Sequence, residues 1–523
     1  MRDLLPNYCV SARASVADHS LPPPPATDHC LEGKSKMVSE GKVGEPLSPA
    51  AKLFHAPSFN CYVIAIMGCK TSINSQVIKE GLCQTLLNHP RFTSKLVKKG
   101  RKSRWKKTTV NIDNHVIVAE IDTKVEFPDR FVEDYISNIT KTPLDLSKPL
   151  WELHLLNIKT SDAEAVAIFR IHHSMGDGAS LMSLLLASTR KISDPHALPT
   201  MPCKKRVMPD NDSLIPNHVI ISRFWSLLLA IWWGLVLIWH TLVDLVLFVL
   251  SIFFIKDTWT PLKGAPGVEL NTKRFIHRTV SMEHIKLVKD EMKMTINDVL
   301  FGVTQAGLSR YLNRECGVDA NAGAEKQRYS VAKNIRLRAS VLVNIRPVAG
   351  IQDLADMMAE KSKTKWGNGL GCIVLPLSIA IQEDPLQYIH QAKATVDRKK
   401  HSLEAICTHV CTKFILNLFG VKLAAAITRR VLYNTTVAFS NVLGPVEEIG
   451  FYGHPVAYIA PSVYGHPQAL TFHFQSYANK MTISVSVDPS VIQDPYILCD
   501  DLEESLKLIV DAVQKKLIMN AVV

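Results

Sequence analysis

The sequence predicts an α/β protein of two comparable domains with an inserted hydrophobic membrane segment. Three observations carry that prediction. Strand-like and helix-like stretches alternate on both sides of the insertion. One stretch, Phe224 to Ile255, has only His240 and Asp244 as strongly polar residues. Hydrophobic residues make up 47% of the 523 positions and charged residues 21%, enough to build cores and too apolar for extended disorder. At roughly 150 residues per domain the length fits about three domains or two large ones, and no short repeat suggests a solenoid.

The elements follow in order. Residues 1–45 read as a disordered N-terminal extension, with a polyproline run at Pro22–Pro25. Arg2, Asp3, Arg13, Asp18 and His19 interrupt the first twenty residues, so no signal peptide is expected. An N-terminal domain is expected over 46–205, a linker holding the membrane segment over 206–265, and a C-terminal domain over 266–523. In the first domain, Tyr62–Met67 reads as a strand and Ser75–Leu87 as a helix. Thr109–Ile121 is strand-like, with His115–Ala119 its centre. Ala165–Ile171 is an apolar strand that runs into a helix at Ala179–Ser188. In the second domain, Met282–Lys293 and Ile296–Leu312 read as helices and Ser340–Asn344 as a strand. Leu470–Tyr477 and Met481–Val487 alternate about Ala478, Asn479 and Lys480, the pattern of a hairpin.

The apolar segment is crowded by Trp225, Trp232, Trp233, Trp239 and Trp259, as interfacial anchors are. As a helix it would run about 48 Å, longer than the roughly 30 Å of one crossing and too short for two with a turn. One crossing would put residues 1–223 and 256–523 on opposite sides. Basic residues flank both ends (Lys204, Lys205, Arg206 and Arg223; Lys256, Lys263, Lys273 and Arg274), so charge sets no orientation. A re-entrant or monotopic insertion with both halves on the cytosolic face is therefore expected. Asp244 at the bilayer centre would cost about 2.5–3.5 kcal/mol, which places it near a turn or an interface.

Lys plus Arg exceed Asp plus Glu by 60 to 48, a net charge of +12 that favours anionic partners. Eight of the thirteen residues from Lys95 to Lys107 are basic, with Trp105 among them. No nucleic-acid motif accompanies the run, so it reads as a solvated turn between a helix and a strand, a membrane-surface contact or a contact for coenzyme A phosphates. Eleven scattered cysteines fit reduced thiols facing the cytosol. Cys407 and Cys411 flank His409 but lack the four ligands of a structural zinc site, and read as buried helical thiols; no metal site is expected.

The sharpest chemical signal is His172-His173-Ser174-Met175-Gly176-Asp177-Gly178, set between the strand ending at 171 and the helix at 179. A strand end can hold a side chain rigidly at a site mouth. Imidazole, with an ordinary pKa of about 6.5, accepts a proton at neutral pH. Gly176 and Gly178 suit a tight reversal, and Asp177 can fix the loop by pairing with an arginine. The competing reading is a structural histidine pair beside a loop aspartate. No Gly-x-Ser-x-Gly elbow is present, Ser174 sits in no recognisable triad, and no phosphate-cradling glycine pattern is seen.

With that motif the chain resembles the plant form of the wax ester synthase/diacylglycerol acyltransferase family, over roughly residues 46–515. Pro46-Leu47-Ser48-Pro49, Pro149-Leu150-Trp151-Glu152, Asn297-Asp298-Val299-Leu300, Asn344-Ile345-Arg346-Pro347 and Ser440-Asn441-Val442-Leu443-Gly444-Pro445 also carry the resemblance. Lys148 stands where arginine is common and Leu443 where proline is frequent. The resemblance implies the coenzyme-A-dependent acyltransferase (chloramphenicol acetyltransferase-like) fold, two α/β domains with a tunnel between them. It implies transfer of a long acyl chain from acyl-CoA to a fatty alcohol, and to diacylglycerol as a further acceptor. His173 would be the general base, His172 its support and Asp177 architectural, with Arg346 the partner to look for. Asn297 would orient His173 or the substrate oxyanion, or else cap its helix. Gly178, Ser440 and Asn441 would contact substrate. Acyl-CoA would be co-substrate, with no cofactor and no nucleic acid. Membrane lipid would be a partner, at the endoplasmic reticulum or alternatively the plasma membrane. The alternatives are the same fold with another acceptor, and a membrane lipid-binding protein with a degenerate site. The Asp-Phe-Gly-Trp-Gly ending of other plant acyltransferases of this superfamily is absent.

Overall fold

The computed structural model describes residues 44–57, 59–100, 102–122, 125–202, 219–316, 335–346 and 366–522. The expected extension up to residue 43, the basic residues 204–206 and Pro347 lie outside the described residues. In chain order the strands are β1 (Glu45–Pro46), β2 (Tyr62–Cys69), β3 (Ser94–Lys99), β4 (Lys102–Lys107), β5 (Val116–Val118), β6 (Trp151–Leu156), β7 (Ala165–His172) and β8 (Thr189–Lys191). They continue with β9 (Arg274–Ser281), β10 (Leu337–Asn344), β11 (Leu370–Leu377), β12 (Val437–Val442), β13 (Ile449–Phe451), β14 (His454–Tyr464), β15 (Leu470–Tyr477) and β16 (Lys480–Val487). The helices are α1 (Pro49–Leu53), α2 (Ser75–Gln84), α3 (Pro128–Ile139), α4 (Gly178–Ser188), α5 (Val219–Phe253) and α6 (Met282–Glu291). After these come α7 (Ile296–Cys316), α8 (Leu386–Lys400), α9 (Glu404–Leu418), α10 (Val421–Asn434) and α11 (Pro495–Val522).

Two sheets organise the chain. A seven-stranded sheet runs β5-β6-β7-β2-β14-β13-β8, and a six-stranded sheet runs β11-β10-β12-β15-β16-β9. Both β7 and β15 are buried at every position, their polar side chains included, as strands in the middle of a covered sheet should be. The first sheet's core gathers Ile64, Trp151, Leu153 and Ile168; the second gathers Phe301, Phe439, Phe472 and Phe474 with Leu502 of α11. The expected hairpin joins β15 to β16. Ala478 and Asn479 have φ of 43° and 61°, the two left-handed residues whose twist matches a right-twisted strand pair.

Several expectations change. Thr109–Ile121 is strand only over Val116–Val118. Asn111 instead caps a short 3-10 turn by accepting from the Asp113 N–H at 3.0 Å, and His115 Nδ1 turns to the Trp151 carbonyl at 2.7 Å. The basic run is the antiparallel β3–β4 hairpin rather than a turn between a helix and a strand. Its Trp105 is buried, with the Arg91 guanidinium 4.7 Å from the ring centre. The Cys407 and Cys411 thiols are half-buried and exposed, not buried.

The domain boundary expected at 266 is crossed by two strands. β14 pairs with β2 along its length and β13 pairs with β8, so the C-terminal half of the sequence completes the N-terminal sheet. Two segments that share one sheet cannot lie on opposite sides of a bilayer.

The apolar segment forms a single helix, α5, with a 29-residue stretch, Trp225–Phe253, long and apolar enough to cross a membrane. Asp244 is neither at a turn nor at an interface with lipid. It is fully buried in mid-helix, paired with Lys399 at 2.9 Å and with Arg398. Lys399 also holds Glu404 at 2.6 Å, and all three side chains are nearly or fully buried. A protein counter-ion therefore solves the problem that the sequence argument gave to the membrane surface. Thr241 Oγ1 accepts from the Leu403 N–H at 2.9 Å and the Asn434 amide donates to the Ser251 carbonyl at 2.7 Å, extending the seam along α5.

Lys399→Met should leave two buried carboxylates without their shared cation. The expected loss is about 3–5 kcal/mol of stability, the usual result of breaking a buried pair from one side. It is read as a lowered thermal midpoint of the full chain in detergent, and an unchanged midpoint would remove this cluster as the anchor of α5.

Candidate active site

The motif occupies the end of β7 and the turn into α4. β7 lies between β6 and β2, with His172 opposite Tyr62 in register. At its end the chain makes a short 3-10 turn over His173–Met175 and then enters α4 at Gly178. Asp177 is the helix cap, its Oδ1 accepting from the Ser180 N–H at 3.1 Å.

Asp177 is fully buried and does more than cap. Arg346, from the end of β10, sets its guanidinium against the carboxylate, 3.0 Å to Oδ1 and 2.8 Å to Oδ2. The Gly369 N–H donates to Oδ2 at 2.9 Å. Around this pair, residues 366–369 strap the loop. The Trp366 indole donates to the Met175 carbonyl at 2.6 Å and the Asn368 amide to the His173 carbonyl at 3.1 Å. Gly367 has φ of +132°, a conformation suited to glycine, and its carbonyl accepts from the Asp177 N–H at 3.2 Å. The N-terminal motif is thus held by an arginine and a strap from the C-terminal half.

His172 is held at both ring nitrogens. Its Nε2 meets Asn60 Oδ1 at 2.9 Å, and its Nδ1 meets Ser174 Oγ at 2.8 Å and the Ser174 N–H at 3.2 Å. Nδ1 accepting and Nε2 donating satisfies all three contacts. The His55 ring stacks on it at 4.1 Å. Burial holds its pKa well below the ordinary imidazole value, and the neighbouring His55, His173 and Arg170 push the same way. Ser174 is spent on this local bond and is 2% exposed, which suits a turn residue rather than a nucleophile.

His173 is 7% exposed, and the Phe54 ring of α1's C-terminal end stacks on it at 4.2 Å. Its Nδ1 is buried without a hydrogen-bond partner among the described residues. Burial lowers its pKa, while its own backbone carbonyl, the Asp177 carboxylate and Asn368 pull upward. The balance favours a neutral ring at neutral pH, the form that can take a proton.

The remaining expected residues lie on or against β12, apart from the motif histidines. Asn441, in β12, donates to Asn297 Oδ1 at 2.6 Å, so the two pair with each other. The helix of Asn297 is capped elsewhere: Asp298 Oδ2 accepts from the Thr295 N–H at 2.8 Å. Gly178 is exposed, and a side chain there would meet Val442 of β12 at 3.9 Å, an ordinary contact. Ser440 is half-buried in β12 beside His473 of β15.

His466 and His473, outside the motif, are buried and held at about 3 and about 4, by burial first, with His173 among the charges that lower both. Neither stood out in the sequence, since β15 carries Thr471, Gln475 and Ser476 besides His473. Asn60, Phe54, Trp366 and Asn368 carried no sequence signal, because their roles depend on contacts more than a hundred residues away along the chain. Phe54 covers one face of the His173 ring. A cavity of about 680 Å³ lies elsewhere, lined by Trp259, Lys263 and Asp488 among others.

Arg346→Met should leave the Asp177 carboxylate buried and unpaired. Amide exchange across Gly176–Ser180 is expected to quicken at least about tenfold, the scale of a broken buried pair. Unchanged protection would mean that the strap alone holds the loop.

Comparison with known proteins places the chain. The wax ester synthase/diacylglycerol acyltransferase catalytic domain matches residues 72–300, and the WS/DGAT C-terminal domain matches residues 366–510. Wax ester synthase/diacylglycerol acyltransferase 11 of Arabidopsis thaliana is 53% identical over 483 residues, covering 92% of this chain and 98% of that protein. Wax ester synthase/diacylglycerol acyltransferase 5 of the same plant is 52% identical over 480 residues, covering 90% and 94%. Among solved structures, the wax ester synthase/diacylglycerol acyltransferase of Marinobacter aquaeolei VT8 superposes with a TM-score of 0.55 at 16% identity, covering 90% of this chain and 99% of that one. The first condensation domain of the calcium-dependent antibiotic synthetase superposes at 0.53 with 12% identity, covering 90% and 96%. The fold is the two-domain, chloramphenicol acetyltransferase-like acyltransferase fold. From its matched domains and its identity to relatives over nine-tenths of its length, this chain belongs to the wax ester synthase/diacylglycerol acyltransferase family and is an acyltransferase.

Proposed function

We propose that the enzyme transfers a long acyl chain from acyl-CoA to a fatty alcohol, making a wax ester, and to diacylglycerol as a second acceptor. The observation that carries this reading is the 53% identity over 92% of the chain to a protein named for both reactions. The acyl-CoA is co-substrate, and the chemistry assigned below asks for no cofactor.

His173 acts as general base. It takes the hydroxyl proton as the alcohol oxygen attacks the thioester carbonyl, and returns that proton to the departing thiolate as the carbon–sulfur bond breaks. No acyl-enzyme intermediate is required. The neutral state favoured by burial supports this role. His172 keeps neighbouring backbone in place, and Asp177 serves through its pair with Arg346 rather than by touching substrate. Asn297 and Asn441, with Gly178 and Ser440 close to the same edge, supply amide and hydroxyl groups for the substrate and its oxyanion. With Phe54 stacked on the ring, the acceptor's arrival requires that side chain to move.

The protein acts at a membrane, with both halves on the cytosolic face, at the endoplasmic reticulum. The shared seven-stranded sheet and the exposed apolar side of α5 support this placement. Acceptors that dissolve in lipid give it a purpose.

The test offers labelled palmitoyl-CoA with hexadecanol or diacylglycerol to the full chain in microsomes. His173→Ala is expected to lose at least about 10²-fold of the wild-type rate, the lower range for a positioned base. A variant that keeps its rate removes the base assignment. A wild type inactive on both acceptors removes the substrate assignment.

A further inference from the structure

The helix α5 is apolar enough to cross a bilayer, with a mean hydropathy of 2.3 over its most apolar stretch, yet one side of it is bound to protein. Trp233 stacks on His401, Thr241 bonds Leu403, Asp244 meets Lys399 and Arg398, and Arg338 donates to the Ile255 carbonyl at 2.9 Å. From Trp233 to the end of α5 at Phe253 the helix runs roughly 30 Å, about the thickness of the hydrocarbon core. A perpendicular crossing would drag Arg338, Arg398 and Lys399 into hydrocarbon, so α5 must lie along the surface of a leaflet with its free side inward. That free side carries Trp232, Trp239, Leu242 and Phe253, each more than half exposed.

A second apolar stripe adjoins it. On α9, Ile406, Val410 and Phe414 recur every fourth residue and are 44%, 56% and 61% exposed. Leu418 at the end of α9, Phe419 after it and Leu423 in α10 continue the stripe across Gly420, which takes a φ of +85° at the joint. Both helices pack against α5, and a stripe this long is larger than a soluble surface usually leaves uncovered. Lys413, Lys422 and Arg430 are exposed around it, the charge that anionic headgroups attract. The reverse side of the same two helices is equally apolar. Leu416, Ala424, Ala425 and Leu432 form one cluster with Leu53 and Phe54 of the α1 segment. Phe54 is the ring stacked on His173.

We propose that α5, α9 and α10 form one surface seated in a single anionic lipid leaflet, and that the alcohol acceptor leaves that leaflet between α9 and α10 and passes Phe54 to reach His173. The second clause rests on the reading of the enzyme as a fatty-alcohol acyltransferase. The side chains that α9, α10 and the α1 segment turn toward one another here, Leu416, Ala424, Ala425, Leu432, Leu53 and Phe54, are apolar, which suits an alkyl chain more than a charged group. Acyl-CoA, with its charged headgroup, has no such reason to come from the lipid side.

The test uses the full chain bound to vesicles of phosphatidylcholine and phosphatidylserine with a trace of phospholipid bearing a photoactivatable acyl chain. Labelled peptides are expected from both 225–253 and 404–423. Label confined to 225–253, or 404–423 cross-linked to a second copy instead of lipid, overturns the composite surface. The route is tested with Val410→Glu/Phe414→Glu and the milder Val410→Ser/Phe414→Ser. For each, the ratio of kcat/KM for vesicle-borne hexadecanol to that for dissolved hexanol is expected to fall, at least about tenfold for the glutamates. An unchanged ratio overturns the route. A wild type that esterifies neither alcohol refutes the substrate reading instead, and leaves the labelling result to stand or fall by itself.

Discussion

The pair between Asp177 and Arg346 is the contact on which the site depends. One partner caps the helix that follows the histidine motif, and the other ends a strand of the opposite sheet. A fully buried carboxylate is tolerated only when its charge is met and its lone pairs are filled. Arg346, Ser180 and Gly369 do both. The consequence is geometric: His173 cannot drift from the seam between the domains without pulling an ion pair apart. Catalytic groups at a domain seam need such a fastening, because seams are otherwise the more mobile part of a two-domain fold.

The same logic repeats under α5. Sequence hydropathy treats Asp244 as a charge in lipid and pushes it to an edge. The protein keeps it in mid-helix and brings Lys399 to it, with Glu404 balancing the lysine. An apolar helix tied down in this way has one side for the protein and one for something else. Its amphipathicity comes from a few polar residues on one face of an otherwise apolar cylinder, which is why composition alone reads it as a membrane crossing.

Local pattern made much of the fold legible. The run Ala165–His172 has no polar face until its end, so a central strand leading into a site could be read from it directly. The hairpin was legible because two alternating runs flank the short break at Ala478, Asn479 and Lys480. The failures share a cause as well. Val116–Val118 is a short strand because Asn111 and His115 take local and distant carbonyl or amide partners that no periodicity encodes. The crossing of β14 into the first sheet pairs segments about four hundred residues apart, and that of β13 pairs segments about 260 apart. Within the site, the histidines and the aspartate were legible as a motif. The partners that fix them were not: Asn60 on His172, the 366–369 strap on the loop, and Phe54 over His173.

The central claim is that a buried, neutral imidazole at position 173 removes the proton from the alcohol. Because burial lowers its pKa, the ring should stay unprotonated further into acid than a free histidine would, and activity should be lost as pH falls through that lowered value. The direct measurement is the pH dependence of kcat/KM for hexadecanol with saturating palmitoyl-CoA. The expected result is an acidic limb whose midpoint lies below the ordinary imidazole value of about 6.5. A midpoint clearly above that value would contradict it, since the base would then be charged in the resting enzyme near neutral pH.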